Sequence, residues 1–117
     1  MAPSLVERLD HILDAIKEAK DSTSGITLEE FERNRILRWG TERALEIVSE
    51  ASRSIPEDPK AQYSITPWRQ IADFGNRLRH AYRDVDTLIV WKILQQDLDN
   101  LRNAAILMKS NLGEDWE

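Results

Sequence analysis

The chain holds two histidines, His11 and His80, and no cysteine. His80 is the one with polar company. Arg77, Arg79 and Arg83 stand within a helical turn of it, and Arg69, Asp73 and Asn76 precede it at spacings of 4, 3 and 4 residues. On a helix advancing about 100° per residue, Arg69, Asp73, Asn76 and His80 share an arc of about 60°, opposite Ile71, Phe74 and Leu78. A polar stripe of this kind is most simply a solvated helix face. The histidine set among guanidinium groups gives it a chemical meaning as well. Neighbouring positive charge disfavours imidazolium and moves a histidine pKa down, towards a neutral base. A neutral imidazole beside guanidinium donors can take the proton of a ribose 2′-hydroxyl while the cations hold the adjacent phosphate, a step that needs no metal.

The elements that must position this stripe read as helices throughout. Ser4 with Glu7 is a capping-box pattern, and Leu5, Leu9, Ile12, Leu13 and Ile16 mark one helical face. That helix is expected to end near Lys20, with Gly25 as its stop. Thr27 with Glu30 repeats the capping pattern, and Leu37, Thr41, Ala44, Val48, Ala51 and Ile55 form the seam of a long bundle helix. Pro56 and Pro59 end that helix, and the 56–65 loop has room for a short extra one. Thr66 and Pro67 read as a cap and first helical position, opening a third long helix to about Arg83. Asp84-Val85-Asp86 breaks it, Asp86 can cap the fourth, and the fourth runs from Thr87 to about Leu112 on Leu88, Trp91, Leu94, Leu98, Leu101, Ala105 and Met108. No segment alternates like a strand. The expectation is an all-α, up-and-down four-helix bundle forming one domain over 1–117, with a disordered tail from about 113.

Composition narrows the function classes. A chain of 117 residues with 41% hydrophobic and 32% charged residues has enough apolar surface for one packed core. Without cysteine it offers no disulfide scaffold, thiolate metal site or cysteine nucleophile. No apolar run approaches the roughly 18 residues of a membrane span, and the N-terminus lacks a signal-peptide pattern, so a cytoplasmic location is expected. The net charge is −5, yet residues 69–83 carry four arginines against one aspartate, +3, leaving −8 for the remainder. A small basic patch on an acidic body suits a short RNA segment better than a long duplex.

The run Phe74-Gly75-Asn76-Arg77-Leu78-Arg79-His80-Ala81-Tyr82, followed by Asp84-Val85-Asp86 and Ile89-Val90-Trp91, resembles the motif region of HepT-like proteins of the HEPN superfamily. These are the toxin partners of minimal nucleotidyltransferases. Ile47-Val48-Ser49-Glu50-Ala51 and Ile65-Thr66-Pro67-Trp68 resemble further family segments, and the likeness runs from the first helix to Leu107. It implies the toxin of a type VII toxin–antitoxin system, a metal-independent endoribonuclease. Such a protein acts as a homodimer whose motif helices face each other across a cleft, needs no cofactor, cleaves tRNA or mRNA, and has a cognate nucleotidyltransferase antitoxin. The family motif is an arginine beside an asparagine, then a histidine, then a tyrosine two residues on. His80, Asn76 and Tyr82 match, whereas the place before Asn76 is Gly75. The implied catalytic set is His80 and Asn76 with Arg77 or Arg79 supplying the cation. Arg69 and Arg83 are expected to bind RNA phosphates, and Tyr82 is where the partner would attach AMP, against the plainer reading of a packed tyrosine with a wet tip. The alternative built on Gly75 is a catalytically weakened module that binds a nucleotidyltransferase or a nucleotide.

Other candidates have ordinary explanations. His11 reads as a helix-surface residue, and Glu29, Glu30 and Glu32 as acids that suit a helix start. Glu50, beside the seam, is expected to need an arginine partner such as Arg43 or Arg53. Trp39, Trp68 and Trp91 read as packing or interface residues.

Overall fold

The computed structural model describes residues 4–64, 66–80 and 87–115, with the side chains at 79, 80 and 113–115 outside that description. The order is α1 (Leu5–Thr23), α2 (Leu28–Arg33), α3 (Arg35–Arg53), α4 (Glu57–Gln62), α5 (Trp68–His80), α6 (Thr87–Lys92), a π-helical segment (Ile93–Asp97) and α7 (Leu98–Asp115). Among the described residues there is no strand, and no helix is long and apolar enough to cross a membrane. The fold is an all-α helical bundle, and α4 is the short helix expected in the 56–65 loop.

Local chemistry explains most boundaries. Ser4 Oγ accepts from the Glu7 N–H at 3.2 Å, and the Ser4 hydroxyl donates to the Glu7 carboxylate at 3.3 Å. Thr27 and Glu30 make the full reciprocal pair, each backbone N–H bonding the other's side chain at 3.1 Å. α1 passes its expected end at Lys20 and runs to Thr23, with the Ser22 and Thr23 hydroxyls bonding back to carbonyls one turn earlier; the chain then turns at Gly25, whose φ of +77° is left-handed. Asn34 separates α2 from α3, its Oδ1 accepting from the Leu37 N–H at 3.0 Å. Pro59 falls inside α4 without harm, since N–H groups of a first turn have no helical acceptor. Thr66 does not cap α5 with its side chain: its buried Oγ1 has no hydrogen-bond partner among the described residues, while its carbonyl accepts from the Trp68 N–H at 2.8 Å.

The core runs along α1 and α3 and is closed by α5 and α7. Leu9, Ile12 and Ile16 of α1 meet Leu45 and Val48 of α3, Phe74 and Leu78 of α5, and Leu98, Leu101, Ala105 and Met108 of α7. α3 is the central element, packing along α1 on one side and α5 on the other. Polar ties join helix ends: Lys20 to Asp99 at 2.8 Å, Lys109 to Asp10 at 2.6 Å, and Arg8 Nη1 to the Ser54 carbonyl at 2.8 Å.

The fourth helix departs from a single regular rod. The π-helical turn at Ile93–Asp97 adds a residue to one turn and shifts the register upstream of it. Leu88, expected inside, is therefore exposed, and Val90 is buried in its place. Trp91 lies against Phe31 of α2 with ring centroids 5.4 Å apart. Helical backbone continues through α7 to Asp115, past Leu112. The breaking segment Asp84-Val85-Asp86 and the expected Asp86 cap lie outside the described residues.

Candidate active site

α5 presents two functionally different sides. Its inner side carries Ile71, Phe74, Gly75 and Leu78, all buried. Gly75 lies against Ser49 of α3, and a Cβ built there would overlap the Ser49 Oγ and Cβ. The two helices approach at this point because one has no side chain and the other a small one; the Ser49 hydroxyl bonds the Ala72 carbonyl across the contact at 3.4 Å. Position 75 thus faces a neighbouring helix, and any side chain there would have to displace that of Ser49. The glycine in the motif arginine's place is a packing requirement of the α3–α5 contact.

The outer side carries the polar stripe. Arg69, Asp73 and Arg77 are exposed and Asn76 is half-buried. Position 80 ends α5 in the same register, so the backbone holds Arg69, Asp73, Asn76 and His80 along one line of one helix. The side chains of Arg79 and His80 are outside the described set, and Tyr82 and Arg83 lie outside the described residues altogether.

Beside this stripe α5 stands away from the fourth helix, in contrast to its close packing on α3. A groove of about 450 Å³ fills the gap. Leu45 and Val48 of α3 line it, with Phe74 of α5 and Ile93 of the π-helical segment. Its polar lining is Gln70, Asp73 and Arg77 from α5, with Lys92, Gln96 and Asp97 opposite. Burial pushes the Asp97 carboxyl above the ordinary carboxylate range. Asp73 therefore belongs both to the stripe and to the groove, with Arg77 beside it. Gln70, Lys92, Gln96 and Asp97 were not singled out from sequence: no motif contains them, and only the π-helical turn brings the last two to the groove.

Among the remaining candidates one expectation is corrected. Glu50 is exposed on α3, so water solvates its carboxylate and the argument that it needs an arginine fails; Arg43 pairs instead with Glu46 at 3.1 Å. Of the two readings of Trp39, packing or interface, its 56% exposure removes the first, and the Arg35 guanidinium lies 5.8 Å from its ring centroid. Trp68 is half-buried, its indole N–H bonding the Tyr63 carbonyl at 3.2 Å. His11 is exposed on α1. Among the described residues no cluster of three or more acids and histidines is placed to hold a metal ion.

Comparison with known proteins agrees with the motif. The family model described as ribonuclease HepT-like matches residues 12–108. A Thermococcus cleftensis protein named for ribonuclease HepT is 35% identical over 102 residues, covering 87% of this chain and 93% of the relative. A Methanocaldococcus jannaschii protein named as an RNase is 33% identical over 91 residues, 78% of this chain and 84% of its own. One from Caldanaerobacter subterraneus, also named as an RNase, is 30% identical over 93 residues, 80% and 83%. No solved structure matches at comparable significance. The bundle, the stripe ending at His80 and a match over most of its length together place this chain in the HepT-like ribonuclease family of the HEPN superfamily.

Proposed function

We propose that the protein is a metal-independent endoribonuclease acting as a homodimer, with His80 as general base. The observation that carries this reading is the polar line of α5, Arg69, Asp73, Asn76 and position 80, in a chain of a ribonuclease family. His80 takes the proton of a ribose 2′-hydroxyl; the 2′-oxygen attacks the adjacent phosphorus; the 5′-oxygen leaves with a proton supplied by solvent, and His80 returns the proton it took to solvent. The products are a 2′,3′-cyclic phosphate and a 5′-hydroxyl end. Asn76 and Arg77 or Arg79 stabilise the charge that develops on the phosphoryl oxygens. Arg69 and Arg83 hold flanking phosphates, and the second copy of α5 completes the cleft from across the twofold axis.

In this reading the chain is a single cytoplasmic domain and the toxin of a type VII toxin–antitoxin pair, with tRNA or mRNA as substrate. A cognate nucleotidyltransferase silences it by transferring AMP to the Tyr82 hydroxyl, with pyrophosphate leaving from ATP. The competing reading, a weakened module without nuclease chemistry, was motivated by Gly75. Its motive weakens because Gly75 is where α3 approaches α5, and a cation can come from Arg77 on the outer side.

The test is incubation of purified protein with tRNA in the presence of EDTA. Wild type is expected to give cyclic-phosphate ends, and His80→Ala to lose at least about 100-fold in rate. Equal cleavage by the two proteins, or none by wild type, refutes the activity.

A further inference from the structure

The groove between α5 and the π-helical turn is not accounted for by the cleavage chemistry. Its apolar lining comes from both sides, Ile71 and Phe74 from α5 and Ile89 and Ile93 from the fourth helix. Its polar lining is mixed: amides at Gln70 and Gln96, carboxylates at Asp73 and Asp97, cations at Arg77 and Lys92. An amphipathic partner helix would need a continuous apolar strip and would meet six polar side chains instead. A purely apolar ligand would leave the amides and carboxylates unpaired. A planar heterocycle carrying donors, acceptors and a phosphate satisfies all three kinds of group, and about 450 Å³ lies in the size range of small-molecule sites.

Position ties the groove to the stripe. Arg77 lines the groove and lies three residues before His80, an axial separation of about 4.5 Å on a helix. A phosphate held at Arg77 is therefore close to position 80 along the helix, in the same groove that Asp73 and Phe74 line. π-Helical turns are rare and concentrate at functional sites. This one brings Ile93, Gln96 and Asp97 to the groove wall.

We propose that this groove is a nucleobase subsite that selects the residue next to the cut, favouring bases with an exocyclic amino group. The inference rests on the ribonuclease reading for the identity of the ligand. The Asp97 carboxylate accepts from the amino group, and the Gln96 amide, which both donates and accepts, pairs with the ring edge beside it. Phe74 and Ile93 cover the ring, and Arg77 and Lys92 bind its phosphate. Uracil, with a carbonyl where cytosine has an amine, places an acceptor against a carboxylate and is disfavoured. Burial keeps Asp97 easier to protonate than usual, so discrimination against uracil weakens as the pH falls.

The test is calorimetric binding of AMP, CMP, GMP and UMP to the full chain, alongside sequencing of the ends cut from a random RNA pool. UMP is expected to bind at least five-fold more weakly than CMP. Asp97→Ala and Asp97→Asn are expected to bring CMP and UMP within two-fold of each other, because an asparagine amide can both donate and accept, while Arg77→Ala weakens all four nucleotides alike. Asp97→Asn keeps the size of the side chain and remains informative if Asp97→Ala fails to fold by circular dichroism. Equal binding of the four nucleotides by wild type, no binding at millimolar concentration, or discrimination that survives Asp97→Asn overturns the subsite. Selective nucleotide binding without RNA cleavage sinks the nuclease reading and leaves the subsite standing. Cleavage with a base preference untouched by both variants does the reverse.

Discussion

Gly75 and Ser49 show how one residue type can serve packing where a motif suggests chemistry. Gly75→Ala is expected to destabilise the fold by about 1–3 kcal/mol, because the new methyl group meets the Ser49 side chain at a contact between two helix backbones. Ser49→Gly in the same chain is expected to recover much of that loss by exchanging which helix carries the side chain. Urea unfolding of the two single variants and the double gives the coupling energy. Additive losses would show that the close approach is unimportant. His80 belongs to the same scale. As general base its imidazole must be neutral to take the 2′-hydroxyl proton, so the cleavage rate is expected to climb with pH as the imidazolium is lost and then level off. A rate independent of pH between about 5 and 8 would argue against an imidazole base.

Helix ends and the π-helical turn belong to the scale of elements. Asn34 is the only residue between α2 and α3, and its side chain caps the latter. Asn34→Ala is expected to cost about 1 kcal/mol in chemical denaturation. Two acids at the π–α7 junction respond to pH with opposite signs. Burial raises the Asp97 pKa above 3.8 in the folded protein, so its ionised form costs stability as pH rises from 3.8 through the higher folded value. Asp97→Asn is expected to raise the melting temperature at pH 7 and leave it unchanged at pH 3. Asp99 is lowered from 3.8, chiefly by its hydrogen bond to Lys20 of α1. Its contribution is present above 3.8 and lost as pH falls through the lower folded value. Asp99→Asn is expected to lose about 0.5 kcal/mol at pH 7, a modest amount because the pair is partly exposed. Melting curves of both variants at the two pH values check the signs.

At the scale of the molecule, the extents of 47 × 29 × 27 Å describe an elongated bundle. α5 is held mainly by α3, with a groove on its other flank. The shared-cleft proposal requires two copies, and light scattering is expected to give twice the chain mass at micromolar concentration. A mass of one chain would remove the cleft and leave the groove.

The helices, the buried faces of α1, α3 and α5, and the line from Arg69 to His80 are written in local spacing, because a helix fixes the direction of each residue from its number alone. Capping patterns at Ser4 and Thr27 and the short helix after Pro56 are legible for the same reason: their hydrogen bonds close within three or four residues. Three features depended on tertiary structure. The π-helical turn is invisible to a 3.6-residue period, and with it the exposure of Leu88 and the placing of Gln96 and Asp97. The meaning of Gly75 required knowing that Ser49, distant in sequence, lies against it. The groove exists because α5 packs closely on one neighbour and stands apart from the other, and that choice belongs to the packing of whole helices.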